Sequence, residues 1–199
     1  MFTGREEAEA LPKLEIILAS TRPGRVGLPV AKWLEAAANE HGGFDVELVD
    51  LAEINLPFMN EPKHPRLGQY EHQHTKDWSA KVGEADAFVF VTPEYNHSFN
   101  AELKNAIDYL NNEWNYKAVG LVSYGGVAAG TRAVQQLKPV LMALRMTPVP
   151  DAVSIPFVQE FLNEQGEFVP NDIVSISAKA MFDELVRVTA TLIPLRDGK

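Results

Sequence analysis

The sequence predicts an α/β protein built on a doubly wound sheet of five parallel strands with helices on both faces. Strand-like and helix-like segments alternate along the chain, five of each, which is the order that produces such a sheet. Two strand segments, 14–19 and 86–92, are almost continuously apolar, as expected of parallel strands buried on both faces. Three strand segments lead into loops rich in glycine and polar residues, the position where ligands bind in these sheets.

The first part of the chain contains two strands, a helix and a long connection. The strand at 14–19 is followed by a helix with apolar residues at helical spacing, which stops at Gly42-Gly43. Alternating polar and apolar residues predict the second strand at 45–51. The connection 52–69, rich in proline and asparagine, is long enough to indicate a functional segment or an interface.

The middle of the chain contains two helices and two strands. A short helix is predicted at 70–82, and a buried strand at 86–92 ends at Pro93. Asn100 is placed to cap the next helix, whose apolar residues share one face. The fourth strand is predicted at 117–123, immediately before a Tyr-Gly-Gly turn.

The last part of the chain continues the alternation with a helix, a weak strand and a final helix. Pro139 is expected to kink the first of these helices. The weak strand is predicted at 149–155, and Asn171 is expected to cap the final helix. Five apolar residues are predicted to form the buried face of that helix: Ile173, Ile176, Ala180, Leu185 and Val188.

Length and composition exclude several classes of protein. With 199 residues, 46% of them hydrophobic, the chain predicts a single domain at 13–199 after a disordered lead-in at 1–12. No apolar run reaches the roughly 18 residues of a membrane span, and a net charge of −9 argues against a nucleic-acid surface. The absence of cysteine excludes disulfides and a cysteine nucleophile and fits a reducing cytoplasm.

The stretch from Ile16 to Gly27, I-I-L-A-S-T-R-P-G-R-V-G, is the most informative in the chain. Ser20 supplies a hydroxyl, Arg22 and Arg25 supply planar cations, and the glycines let the backbone come close to a ligand. A helix N-terminus favours an anion, and arginine adds charge-assisted hydrogen bonds. These parts predict a site for a phosphate monoester; the alternative is a solvated loop with surface arginines.

The loops after the third and fourth strands add the parts of a ring-binding site. The loop P-E-Y-N-H-S-F-N, which begins at Pro93, presents backbone donors and acceptors beside Tyr95, an aromatic side chain able to stack. The loop S-Y-G-G-V-A-A-G, which begins at Ser123, has adjacent glycines that allow close approach to a flat ligand. Each loop alone is compatible with an ordinary turn, but together they favour one common site.

Three motifs, A-S-T-R-P-G-R, T-P-E-Y-N-H-S-F-N-A-E-L-K-N-A-I-D-Y-L and S-Y-G-G, resemble the flavodoxin-like NAD(P)H-dependent FMN reductases, a family with quinone-reductase and azoreductase-type members. The resemblance covers roughly residues 14–155. It implies the strand order 2-1-3-4-5, bound FMN, and NADPH or NADH as hydride donor. The implied reaction is a ping-pong transfer of hydride through FMN to a flavin, a quinone or a similar small acceptor.

The resemblance also assigns the residues of the site. The FMN phosphate would be held by Ser20, Arg22, Arg25, Val26 and Gly27. The isoalloxazine ring would be lined by Pro93, Glu94, Tyr95, Asn96 and His97. The pyrimidine end of the ring would be enclosed by Ser123, Tyr124, Gly125 and Gly126. The N–H groups of the last two are expected to stabilise the charge of the reduced flavin, and no side chain is assigned an essential catalytic role.

Two other functions stay open from the sequence. One is a non-enzymatic flavin protein, either an electron carrier or a redox sensor, although arginines in the phosphate loop favour the reductase. The other is a small α/β hydrolase, which is disfavoured because the glycine before Ser123 lies three residues away instead of two.

The remaining predictions concern metals and partners. His64, His72 and His74 invite a zinc interpretation, but residues two apart on a helix do not face each other, so no metal is predicted. A small-molecule electron acceptor is the expected partner. The chain is also expected to form a cytoplasmic homodimer or homotetramer, with the connection 52–69 lying across a neighbour's site.

Overall fold

The computed structural model describes residues 10–198 and contains a five-stranded parallel sheet in the order β2-β1-β3-β4-β5. The predicted fold class and strand order are therefore confirmed. Residues 1–9 of the predicted lead-in lie outside the described residues. The strands are β1 (Lys13–Leu18), β2 (Asp45–Asp50), β3 (Ala87–Pro93), β4 (Ala118–Tyr124) and β5 (Thr147–Ile155).

Helices cover both faces of this sheet. Within residues 10–198 they are α1 (Gly27–His41), α2 (Leu51–Ile54), α3 (Gln73–Glu84), α4 (Ala101–Asp108), α5 (Thr131–Ala143) and α6 (Asp172–Arg196). Helices α1 and α6 pack on one face, and α3, α4 and α5 pack on the other. Across the described part of the chain, no helix is both long enough and apolar enough to cross a membrane.

The central strands are buried because each of their faces meets a layer of helices. Every residue of β3 and β4 is buried. In β1, Leu14, Ile16 and Leu18 pack toward α1 and α6, whereas Ile17 packs toward the other layer. This alternation explains why β1 reads as a nearly continuous apolar run in the sequence.

Two predicted helix ends are confirmed. Helix α1 stops at Gly42, which adopts a left-handed conformation with φ 71° and donates its N–H to Ala38 O. Helix α6 begins after Asn171, whose Oδ1 accepts a hydrogen bond of 2.9 Å from Val174 N. Pro139 lies inside α5, which is assigned as one helix on both sides of it.

The predicted buried face of α6 is wrong at its N-terminal end. Ile173 and Ile176 are 74% and 69% exposed, and only Leu185 of the five predicted residues is fully buried. The first turns of α6 carry apolar residues on more than one face, so spacing alone does not identify the side that meets the sheet. The buried side chains are Val174, Ala178, Met181, Phe182, Leu185 and Thr189.

The long connection 52–69 is held against α4 by hydrogen bonds. Asn105 donates to Pro57 O at 2.8 Å and accepts from Met59 N at 2.9 Å. The hydroxyl of Tyr109 lies 3.1 Å from the same Pro57 oxygen. Phe58, between these anchors, is 82% exposed, so the segment presents an aromatic side chain to solvent on a fixed backbone.

The histidines at the start of α3 contact each other and their neighbours. The expectation that His72 and His74 do not face each other is wrong, since their rings stack with centroids 5.2 Å apart. Helical spacing does not apply to this pair because His72 is the N-cap residue that precedes α3. His74 Nε2 lies 3.1 Å from Asn60 Oδ1. Within residues 10–198, no three histidine or acidic side chains are grouped so that they could hold a metal ion.

Candidate functional site

The sheet brings the three predicted loops to one edge. In the strand register, Leu18 of β1 lies opposite Val91 of β3, and Pro93 of β3 lies opposite Tyr124 of β4. The carboxyl ends of these three parallel strands are therefore adjacent, as expected for a ligand site in such a sheet. The backbones stay joined beyond the strands, since Glu94 N donates to Tyr124 O at 3.2 Å.

The first loop makes a tight turn before α1. Arg25 N donates to Arg22 O at 3.1 Å, and Gly24 between them has φ 68°. Proline followed by a glycine with positive φ is the arrangement of a type II turn. Helix α1 then begins at Gly27 with Val26 as its N-cap, and neither a capping side chain nor an acidic residue occupies its first turn. The partial positive charge of this helix end is therefore available to an anion.

Gly27 lies where no side chain fits. A Cβ atom at this position would collide with Tyr124 Oη and come within 3.0 Å of Ser20 Oγ. Both hydroxyls are buried, and neither has a hydrogen-bond partner other than its neighbour in this pair within residues 10–198. Burial raises the pKa of Tyr124 to about 12, so its hydroxyl keeps its proton and stays a donor. The uncapped N-terminus of α1 and the two buried hydroxyls packed against Gly27 form a cradle that fits a phosphate group.

The two arginines of the first loop have different environments. Arg22 is exposed, and its side chain makes no hydrogen bond or ion pair within the described residues. Arg25 donates to both carboxylate oxygens of Asp50 and, at 2.5 Å, to Ser20 O. The side chains of Arg25 and Asp50 are only 16% and 7% exposed. Both arginines were predicted to bind phosphate. In the structure Arg22 is free to contact a ligand, whereas Arg25 forms an internal ion pair with Asp50.

The second loop is a two-residue turn in an unusual conformation. Tyr95 N donates to Ser98 O at 2.8 Å, and Ser98 N donates back to Tyr95 O at 3.0 Å. Asn96 and His97, between them, have φ 50° and 69°, as in a type I′ turn. Neither of these two is glycine, so the turn stores strain of the kind found at binding sites. The N–H groups of Asn96 and His97 have no partner within residues 10–198.

Glu94 does not offer a free carboxylate to a ligand. Arg132, at the start of α5, donates from Nε to Glu94 Oε1 at 2.6 Å and from its backbone N to Oε2 at 3.2 Å. Arg132 Nη1 also donates to His97 Nε2 at 2.8 Å. The sequence prediction included Glu94 and His97 but missed Arg132, because a pairing across about 38 residues leaves no local pattern.

The third loop corrects one predicted role. Gly125 N donates to Ile155 O at 3.2 Å, so the N–H groups of Gly125 and Gly126 are not a free donor pair. Gly126 N alone has no partner within residues 10–198. Ser123 is buried and its Oγ donates to Ala129 O at 2.9 Å, which makes it a brace of the loop.

Tyr124 also differs from its predicted place at the pyrimidine end of the ring. Its side chain packs with the α1 and α6 core, and its hydroxyl lies beneath the first loop, near Gly27. The physical reason is strand alternation: successive residues of β4 point to opposite faces, so Ser123 and Tyr124 cannot both face the same ligand.

Asn100 connects the first two loops instead of capping α4. It is α4's N-cap residue by position but makes no side-chain capping bond. Its Nδ2 donates to Ala19 O at 2.7 Å, and its buried Oδ1 has no partner within the described residues. The predicted position of the cap is therefore confirmed, but its side-chain bond is not made, because the amide donates to Ala19 O and to Glu102 instead.

A cavity of about 480 Å³ adjoins the first loop on the α4 side. Its walls combine apolar side chains with a few polar ones, as is common for small-molecule sites. They are formed by Thr21, Leu51, Ala52, Asn55, Leu56, Pro57, Phe58, Ala101, Glu102, Asn105 and Ala106. The connection 52–69 therefore reaches the site region within one chain.

The arrangement of the three loops indicates which class of ligand this edge of the sheet can bind. Three loops at one edge of a 2-1-3-4-5 sheet combine an anion-binding helix end with free backbone donors, which suits a phosphate-bearing aromatic cofactor. Residues 12–160 match the family model of NADPH-dependent FMN reductase. The chain therefore belongs to the NADPH-dependent FMN reductase family.

Individual relatives agree with this assignment. An NAD(P)H-dependent FMN reductase of Schizosaccharomyces pombe is 41% identical over 79% of this chain and 82% of its own length. An FMN-dependent NADPH-azoreductase of Staphylococcus saprophyticus is 25% identical over 86% of this chain and 92% of its own length. In fold, the chain is similar to FerB, an NAD(P)H:(acceptor) oxidoreductase of Paracoccus denitrificans, with a TM-score of 0.74 and 21% sequence identity. The similarity covers 92% of this chain and 99% of FerB. The predicted activity, an FMN-dependent oxidoreductase using NAD(P)H, is confirmed.

Proposed function

We propose that the first loop holds the FMN phosphate and that the other two loops receive the isoalloxazine ring. The observation that carries this proposal is the unpaired, exposed Arg22 beside the cradle at Gly27, where α1 begins without a cap. The guanidinium supplies a bidentate donor for phosphate oxygens, and the helix end supplies N–H groups. Ser20 and Val26 contribute the hydroxyl and the backbone that complete this cradle.

Arg25 has a positioning role in this proposal. Its ion pair with Asp50 and its bond to Ser20 O fix the shape of the loop, so the free arginine and the helix end keep their relative places. The predicted phosphate contact of Arg25 is replaced by this indirect contribution.

The ring is received by backbone more than by side chains. The free N–H groups of Asn96, His97 and Gly126 are donors for the oxygen and nitrogen atoms of the ring edge. Tyr95, which is partly exposed beside them, forms a wall of the substrate space, and Pro93 ends the strand beneath. Gly125 holds the third loop in place through its N–H, which donates to Ile155 O of β5, and through its carbonyl, which accepts from Val158 N.

FMN, when bound by these residues, would supply the redox chemistry between NADPH or NADH and the acceptor. The residues of this chain bind and orient; none of them has to exchange a proton for hydride transfer to proceed. A site of this kind accepts flavins, quinones or azo compounds that can lie flat over the turn. Relatives carry corresponding names, including an NAD(P)H:quinone oxidoreductase of Solanum tuberosum.

We further propose that the protein works as a homo-oligomer in the cytoplasm. Phe58 and Met59 are exposed on a connection that hydrogen bonds hold in place, and they lie beside the cavity that adjoins the first loop. A second copy that covers this surface would bury the aromatic side chain and close the open side of the site. The absence of cysteine agrees with a reducing compartment.

The test is a spectroscopic titration of the purified protein. We expect it to bind FMN, to lose the flavin's absorbance when NADPH or NADH is added anaerobically, and to regain it when a quinone follows. Bound flavin that neither nicotinamide bleaches would identify an electron carrier instead. Failure to bind FMN at all would contradict the proposed site.

A further inference from the structure

We propose that Arg132 is a positioning residue that clamps the strained turn at Asn96 and His97 in its cofactor-binding shape. This inference rests on the proposed function, since it concerns the turn that receives the ring. It adds a residue that neither the motifs nor the family assignment identify.

The turn needs an external support. Two consecutive non-glycine residues in the left-handed region cost of order 1 kcal/mol or more each. The backbone pair between Tyr95 and Ser98 closes the base of the turn. Beyond the base, no side-chain hydrogen bond other than the one from Arg132 reaches Asn96 or His97 within residues 10–198.

Arg132 supplies that support from the rigid end of a neighbouring helix. Its Nε and backbone N bind the two oxygens of Glu94, and the Glu94 side chain is only 8% exposed. Its Nη1 reaches the ring of His97 at 2.8 Å. Contacts on both sides of Tyr95 therefore tie the turn to α5, and a guanidinium suits this task because its donors have a fixed geometry.

The clamp also fixes the hydrogen-bonding state of His97. Arginine has no acceptor, so His97 Nε2 must accept the bond, and the ring proton lies on Nδ1. The imidazole therefore contacts Arg132 only in its neutral form. Together these contacts keep the N–H groups of Asn96 and His97 in place for the ring, where preorganised donors stabilise the added negative charge of a reduced flavin more than the oxidised form.

The experiment compares Arg132→Ala and Arg132→Lys with Arg187→Ala, a control on an exposed part of α6. Dissociation constants are measured for oxidised and for reduced FMN. We expect Arg132→Ala to weaken binding of oxidised FMN about tenfold and binding of reduced FMN about a hundredfold. The roughly tenfold difference between the two states lowers the two-electron reduction potential of the bound flavin by about 30 mV. Arg132→Lys should recover part of both effects, and Arg187→Ala should change neither.

Two outcomes overturn the clamp. In the first, Arg132→Ala binds oxidised and reduced FMN within about twofold of the wild type. In the second, its affinity falls equally for both flavin states, which would indicate a general loosening of the site. Should Arg132→Ala fail to fold, His97→Ala replaces it, because it removes the Arg132 contact without removing a charge, and it must also lower the potential of the bound flavin. A wild type that binds no FMN removes the proposed function and the clamp together, whereas an unaffected Arg132→Ala in an FMN-binding protein removes the clamp alone.

Discussion

Arg25 of the first loop and Asp50 at the end of β2 form a nearly buried, two-pronged ion pair. Asp50 Oδ1 also accepts from Ala52 N at 2.9 Å and so begins α2. One carboxylate thereby joins the loop before α1 to the segment that leads into the connection 52–69. The shape of the cradle depends on a residue that lies one strand away.

Arg25→Ala is expected to destabilise the protein even without FMN. It leaves the carboxylate of Asp50 nearly buried and unpaired, a defect that costs about 3 kcal/mol. The measurement is urea denaturation of the apoprotein, with Arg25→Ala, Asp50→Ala and the double variant as a cycle. Undiminished stability together with lost FMN affinity would instead assign Arg25 directly to the phosphate.

Gly27→Ala is expected to disturb the cradle through steric conflict. The added methyl group collides with Tyr124 Oη, and such overpacking costs about 1–3 kcal/mol. Tyr124→Phe in the same chain removes the hydroxyl and should restore part of the lost stability. Gly83→Ala is the matched control, since nothing lies within 4 Å of a Cβ there. The clash would be refuted by equal thermal stability of Gly27→Ala and Gly83→Ala.

Glu15 gives the protein a pH-dependent stability remote from the loops. Its side chain in β1 is fully buried, and neither oxygen has a hydrogen-bond partner within residues 10–198. Burial, followed by the charge of Glu47, raises the pKa of Glu15 to about 7. A carboxyl with a raised folded-state pKa stabilises the fold below its unfolded value near 4.5 and loses that contribution as pH rises through about 7.

The expected difference is measurable against Glu15→Gln, which does not titrate. Between pH 5 and pH 8 the wild type should lose about 2–3 kcal/mol of unfolding free energy relative to the variant. Chemical denaturation at both pH values gives this difference, and titrating groups that do not interact with Glu15 contribute equally to the two proteins. A constant gap between the two proteins across the range would show that Glu15 does not titrate there.

Phe58→Ser is expected to weaken self-association. The side chain is one of the most exposed large apolar groups among the described residues, so its removal from a covered surface costs about 1–3 kcal/mol per chain. Light scattering over a concentration series measures the change in mass. Ile173→Ser, at another exposed apolar position, serves as the control. A wild type that stays monomeric throughout the series would contradict the proposed oligomer.

The sequence was sufficient for the parts of the fold that depend on local patterns. Apolar runs located the buried strands, and the loop after each strand end located the edge that carries the proposed ligand site. It could not separate Arg22 from Arg25, because the difference lies in Asp50, which is distant in the chain. Nor could it show that Gly125 N donates to Ile155 O, since the pairing of strands decides which backbone donors stay free.

Side-chain direction was the second limit of the sequence. The family resemblance assigned Tyr124 to the ring, but its place in β4 turns its side chain to the face beneath the first loop. In the same way, Ile173 at the start of α6 was predicted to lie on the buried face of that helix but is exposed. Both errors arose because packing against neighbouring elements, and not local sequence, decides which side of a strand or helix is buried.

The most direct test of the account is a comparison of FMN with riboflavin, which lacks the phosphate, on the wild type and Arg22→Ala. We predict that Arg22→Ala weakens FMN binding about ten- to hundredfold, as expected for the loss of charge-assisted hydrogen bonds, and leaves riboflavin affinity and thermal stability unchanged. FMN affinity within about twofold of the wild type would contradict the assignment of the phosphate to this loop.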